Sequence, residues 1–216
     1  MLVFLPSKKC LLEIRDLYCY SKHSSNCPFK LIFVTLLLMS MISQQHRNKS
    51  VLLFLPAQNF NEHEFLIVSN SLDSAGYKTF IVSDSSFLCV GSNGLKVKND
   101  IQLYNAHESN FAGFIIIGGS GTRNYWDNSS LQNIAKKFVL NKKPVGALCC
   151  APVILAKAGL LIEPATCFAD DRKALEREGV EFFNSPVVAN RKIVTGQDPA
   201  SSTEFVNRFI HELSKL

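Results

Sequence analysis

The sequence predicts an α/β protein whose parallel sheet is covered by helices on both faces and carries a cysteine at a strand-to-helix elbow. Three observations predict it. Residues 51–55, 111–117 and 144–148 are short, nearly uninterrupted apolar runs, the pattern of strands buried on both faces. Segments of helical periodicity lie between them and close on glycines, so strand and helix alternate as a parallel sheet requires. Finally, Val145-Gly146-Ala147-Leu148-Cys149-Cys150-Ala151-Pro152 runs from a buried strand directly into a helix start.

The elements follow in order. Val51–Leu55 is the first strand, and polar residues 56–63 separate it from a helix over 64–75, where Phe65, Val68, Leu72 and Ala75 recur at helical spacing. Gly76 ends that helix, as glycine does where the chain turns left-handed. Residues 77–82 form a second strand, and 87–97, with Gly91 and Gly94, form an excursion or hairpin. The apolar strand 111–117 closes on Gly118-Gly119; a helix over 131–140 and a fourth strand over 144–148 follow. A helix over 152–158 stops at Gly159, residues 166–168 and 192–195 are further strands, and 172–178 is a short helix. Asp198-Pro199 then opens a last helix through Leu213, Asp as N-cap and Pro in the first turn. In such sheets ligands bind outside the carboxyl ends of the strands.

With 216 residues, 47% of them apolar and 19% charged, the chain can bury one ordinary core and is no disordered polyanion. Its net charge of +5 is unevenly placed. The first fifty residues hold seven of the 23 Lys/Arg and two of the 18 acids, which leaves sixteen of each beyond them. The excess basic charge belongs to the leader, so a nucleic-acid partner, which needs a basic stripe on the folded domain, is not expected. Seven cysteines without regular spacing make a poor disulfide framework or zinc site. Free thiols in a reducing, cytoplasmic compartment fit better.

Residues 1–49 are a leader and 50–216 the domain. The apolar run over 31–42 is too short to span a bilayer, which takes about 20 residues. It has the length of a signal-peptide core, yet about 28 residues precede it and no small-x-small cleavage site follows. A disordered or spurious extension is the favoured reading, with a targeting segment and a structural addition as the others; a membrane partner is not expected.

A thiol at the elbow points at open space above helix-start N–H groups, which should favour thiolate over thiol and lower the cysteine's pKa. The bland alternative is that Cys149 and Cys150 are small buried residues, as cysteines usually are. On spacing alone both stay open.

Four motifs in order break that tie. The segment A-L-C-C-A-P at 147–152, I-I-I-G-G-S-G at 115–121, N-E-H-E-F at 61–65 with S-A-G at 74–76, and T-G-Q-D-P-A-S-S at 195–202 together resemble the DJ-1/PfpI superfamily over residues 50–214. That superfamily has the class I glutamine amidotransferase-like fold. The resemblance implies a single-domain, flavodoxin-like fold with Cys149 as nucleophile. It places the family's glutamate twelve residues before Gly76, on Glu64, with Glu62 as competitor. The amides of Gly119 and Cys150, with Gly118 in the same turn, would bind an oxyanion. A buried carboxyl beside a thiolate can stay protonated and donate a hydrogen bond, which gives Glu64 a role as donor and general acid/base.

The resemblance further implies a homodimer and a small-molecule aldehyde or glycated substrate: glyoxalase or deglycase chemistry, methylglyoxal to lactate, through a Cys–Glu pair. No P-loop, G-x-G-x-x-G or metal cluster occurs, so neither cofactor nor metal is expected. Two alternatives stand beside it. One is a thiol redox-sensing or chaperone-like stress protein without obligatory turnover. The lesser one is an intracellular cysteine peptidase or amidase, which needs a base beside the nucleophile. That branch carries His after the cysteine, where this chain has Cys150. His107 reads as a surface-loop residue, His63 points away from Glu64, and A-T-C-F-A-D-D-R at 165–172 holds no His.

Overall fold

The structure, a computed structural model, describes Leu37 and residues 49–216. The leader expected over 1–49 lies, apart from Leu37 and Lys49, outside the described residues. From residue 49 onward the described chain belongs to one compact unit.

The chain runs β1 (Ser50–Phe54), β2 (Gln58–Phe60), α1 (Glu62–Ser74), β3 (Lys78–Ser83), β4 (Leu88–Gly91), β5 (Lys96–Lys98), β6 (Ile101–Gln102) and β7 (Gly113–Ile116). Then come α2 (Ser129–Leu140), β8 (Val145–Leu148), α3 (Pro152–Lys157), α4 (Arg172–Arg177), β9 (Val187–Asn190), β10 (Ile193–Gly196) and α5 (Ser202–Leu213). Seven strands form the main sheet in the order β6-β3-β1-β7-β8-β10-β9, parallel but for β9 at one edge. A small second sheet, β2-β4-β5, contains the hairpin expected over 87–97.

Alternate side chains along each strand feed opposite faces, so strands buried on both sides must be apolar throughout. On one face Val51, Leu53 and Ile115 meet Val68 and Leu72 of α1 and Phe205, Val206 and Phe209 of α5. On the other, Leu52, Phe54, Phe114, Ile116 and Val145 meet Leu131, Ile134 and Phe138 of α2 and Ile154 and Leu155 of α3. Gly146 lets α5 come close, because a Cβ there would lie 2.7 Å from the Phe205 ring.

Three expectations change. Residues 166–168 form no strand: Ala165 makes a single bridge to Phe182, and the Thr166 amide donates to the Thr195 side chain instead. β10 already has β8 and β9 as neighbours, so no strand edge is open to that segment. β9 escapes the sequence because its hairpin turns on Arg191 and Lys192, both at positive φ, where Asn-Gly is the usual signal. α1 starts two residues early, at Glu62, because Asn61 is its N-cap and accepts from the Glu64 amide at 3.1 Å.

The chain moves outward in one direction from β1 to β3 and in the other from β7 to β8. The switch point therefore lies between β1 and β7, where a crevice opens beyond the strand ends. The loops leading to α1, following β7 and following β8 meet there.

Candidate active site at the switch point

Cys149 sits directly after β8 with φ of 58°, a left-handed conformation that costs a non-glycine residue about 1–3 kcal/mol and concentrates at functional turns. Three contacts hold the turn. The Cys149 amide donates to Gly196 O at 2.9 Å, its carbonyl accepts from Phe168 N at 2.8 Å, and Trp126 Nε1 donates to Cys150 O at 3.0 Å. Cys89, Cys150 and Cys167 have no accessible surface, whereas Cys149 keeps 7%.

Glu64 is fully buried. Its Oε2 accepts the Gly118 amide at 2.8 Å, while Oε1 has no partner. Gly118 makes this possible, since a Cβ there would lie 2.6 Å from Cys149 Cβ and 2.8 Å from Glu64 Oε2. Burial first, then the neighbouring Cys149 sulfur, push the Glu64 carboxyl well above the usual carboxylate range, against the Gly118 amide that pulls it down. The site thus favours the protonated carboxyl, with the unpartnered Oε1 as the open position for its proton.

Glu62 goes elsewhere. Two residues along a helix is a rotation of about 200°, and its Oε1 accepts from Asn93 N at 2.7 Å and Leu95 N at 2.9 Å, tying α1 to the β4–β5 turn.

Gly119, at φ of 123°, presses on the backbone of 59–61, where a Cβ would stand 2.5 Å from Asn59 O. The amides of Gly119 and Cys150 face the Cys149 sulfur and favour its thiolate. The Gly118 amide is already given to Glu64, so Gly118 positions that carboxyl rather than offering a free donor.

The Cys149 thiol departs from the expected low pKa. Its hydrogen bond to the Cys150 thiol and its burial push it up, outweighing those two amides. The physical reason is local: α3 has six residues and begins three positions after Cys149, so little helix dipole reaches the sulfur, whereas burial still acts on it. Cys150 Sγ in turn lies 3.1 Å from Gly119 O.

Two site residues carry no local signal. Arg123, in the turn following Gly119, donates from Nε and Nη2 to both carboxylate oxygens of Asp171 at 2.9 and 2.8 Å, 48 positions away. No periodicity or motif marks such a pair. Asn61 did carry a signal, the cap-x-x-Glu spacing; because Asn61 satisfies the helix amide, Glu64 is free to turn inward. The described histidines, His63, His107 and His211, are all exposed. Among the described residues no cluster of three or more His, Cys, Asp or Glu could hold a metal, and no helix is long and apolar enough to cross a membrane.

The DJ-1/PfpI family model matches residues 49–212, and the chain belongs to that family. It is 26% identical to the deglycase PfpI of Pyrococcus furiosus over 160 residues, 74% of this chain and 96% of that one. It is 23% identical to the glutathione-independent glyoxalase DJR-1.2 of Caenorhabditis elegans, over 76% of this chain and 89% of that one. Among solved structures, a ThiJ/PfpI domain protein from Brachyspira murdochii superposes with a TM-score of 0.76 at 29% identity, covering 78% of this chain and 98% of the other.

Proposed function

We propose that this member of the DJ-1/PfpI family is a cofactor-independent cysteine enzyme acting on reactive aldehydes, with Cys149 as nucleophile and Glu64 as proton carrier. One observation carries the reading: a wholly buried carboxyl with one oxygen fixed by Gly118 and the other unpartnered beside a strained cysteine. The family relatives named a deglycase and a glyoxalase support the substrate class.

Both groups are pushed above their ordinary values, so the first step is written from the thiol and the carboxylic acid. The sulfur adds to the aldehyde carbon of methylglyoxal. The thiol proton passes to Glu64 and the Glu64 proton to the carbonyl oxygen, giving a neutral hemithioacetal. The Gly119 and Cys150 amides stabilise charge developing on that oxygen. Glu64, again a carboxylic acid, takes the proton of the thioacetal carbon while giving its own to the neighbouring carbonyl oxygen, which forms an enediol. It then gives a proton to that neighbouring carbon as it takes the proton of the first hydroxyl, leaving a thioester. Water cleaves the C–S bond, releases lactate and restores the thiol. Atoms balance as methylglyoxal plus water.

A peptidase reading loses ground because no described histidine is buried beside the elbow. A redox-sensing role is the second reading, favoured by the same amides and carboxyl, which would also hold the oxygens of an oxidised sulfur. The proposal includes a homodimer, which sedimentation measures. The deciding experiment is lactate production from methylglyoxal by wild type and Cys149→Ser: turnover that vanishes in the variant supports the enzyme. Lactate formation that survives it refutes the assignment, and wild-type silence with peroxide-dependent oxidation of Cys149 selects the second reading.

A further inference from the structure

We infer that Arg123 forms an anion-recognition position beside the elbow, which selects aldehydes carrying a carboxylate or phosphate on their carbon chain. The inference deepens the aldehyde reading and rests on it for the identity of the reacting group. Its geometry stands separately.

Arg123 lies four residues beyond Gly119, in the turn that Thr122 N closes on Gly119 O at 3.0 Å. Its guanidinium stands 5.9 Å from the Phe168 ring centroid, and Phe168 donates its amide to the Cys149 carbonyl. Thus the loop that follows the glycine turn and the loop that covers the elbow both lead to this one side chain. Asp171 comes from that covering loop, and its side chain is 6% exposed with both carboxylate oxygens on Arg123.

The pair is polarised by this arrangement. The Asp171 side chain is turned into the protein, while the Arg123 side chain is 36% exposed. Of its five N–H groups, Nε–H and one on Nη2 are used, which leaves both on Nη1 and one on Nη2 for a ligand. A guanidinium locked in place by a buried carboxylate is pre-organised for planar, charge-assisted recognition of carboxylate or phosphate oxygens. The guanidinium packs on the ring of the residue whose amide holds the Cys149 carbonyl, which places it on the loop that a substituent of a molecule bound at the sulfur would meet.

The test compares two reagents of nearly equal size, iodoacetate and iodoacetamide. In both, the Cys149 sulfur displaces iodide and forms an S–C bond; only iodoacetate carries a negative group. The ratio of their Cys149 labelling rates, read by peptide mapping at one mildly alkaline pH, is measured in wild type, Arg123→Lys and Arg123→Gln. The double variant Arg123→Gln/Asp171→Asn is added because the single Gln change leaves Asp171 buried without its partner. The iodoacetate preference should fall about fivefold in Arg123→Gln and in the double variant, the size expected of a half-exposed charge contact, and added inorganic phosphate should slow iodoacetate labelling selectively in wild type. A ratio unchanged across the variants overturns the inference even where methylglyoxal is turned over. A ratio that shifts in a protein without lactate formation supports the anion position and refutes the aldehyde chemistry instead. Failure of both reagents to label Cys149 overturns both.

Discussion

Replacing Glu64 by Gln isolates the proton that the site holds. In the unfolded chain the carboxyl titrates near its ordinary value of 4.5, whereas burial beside Cys149 raises it well above that in the folded protein. Above that ordinary value the folded state therefore binds more protons than the unfolded one, and stability falls as pH rises, by up to about 1.4 kcal/mol per pH unit. The contribution is complete below the unfolded value and is lost as pH climbs through the folded one. Gln keeps the shape, its carbonyl in the place of Oε2 on the Gly118 amide, but has no proton to lose. For a chain of this size about 1 kcal/mol moves Tm by about 2–4 °C. Wild type should thus lose roughly 3–6 °C relative to Glu64→Gln for each pH unit above the ordinary carboxylate range, until the folded pKa is reached. Calorimetric melting of both proteins from about pH 5 to pH 8 measures the difference directly. Parallel Tm curves would show that Glu64 is an ordinary ionised carboxylate and would remove the proton carrier from the mechanism. If the carrier is real, the same variant retains Cys149 alkylation within a few-fold and loses lactate formation.

Among Cys89, Cys149, Cys150 and Cys167, Cys149 alone keeps accessible surface, so it should alkylate first, with a rate still rising above pH 9 because its pKa is raised; early labelling of Cys167 by peptide mapping would mislocate the elbow. Gly118→Ala inserts a methyl 2.6 Å from Cys149 Cβ and 2.9 Å from Leu148 O, which should cost about 1–3 kcal/mol in denaturant melts and lower turnover. Glu62→Ala releases the Asn93 and Leu95 amides; hydrogen exchange at those two should accelerate with a loss of about 1–2 kcal/mol, while Cys149 labelling stays within twofold of wild type. Phe205→Ala opens a cavity against Gly146 and the core and should destabilise by about 3–5 kcal/mol, read by chemical unfolding.

The sequence by itself determined the strand and helix alternation, the two-sided sheet and the elbow. Those features are written in local pattern: apolar runs for β1, β7 and β8, helical spacing for α1, and a cysteine between strand and helix. Periodicity of 2 or 3.6 residues is set by backbone geometry, so it survives without knowledge of distant contacts. The motif register also pointed to Glu64, and the fold places that side chain beneath Gly118 while its neighbour Glu62 reaches the hairpin.

The tertiary structure decided what depends on residues far apart in the chain. The hairpin that adds β9 turns on Arg-Lys, whose positive φ values no propensity announces. The Arg123–Asp171 pair joins positions 48 apart, and residues 166–168 cap the elbow because the sheet edge they would have joined is taken. The direction of the Cys149 pKa shift was decided in the same way. A helix start lowers a thiol pKa only where the dipole reaches it; here α3 is short, and the Cys150 thiol and burial push the other way. Local pattern encodes which groups meet the solvent and which the core, but the sign of a buried group's pKa shift is set by every neighbour the fold brings to it.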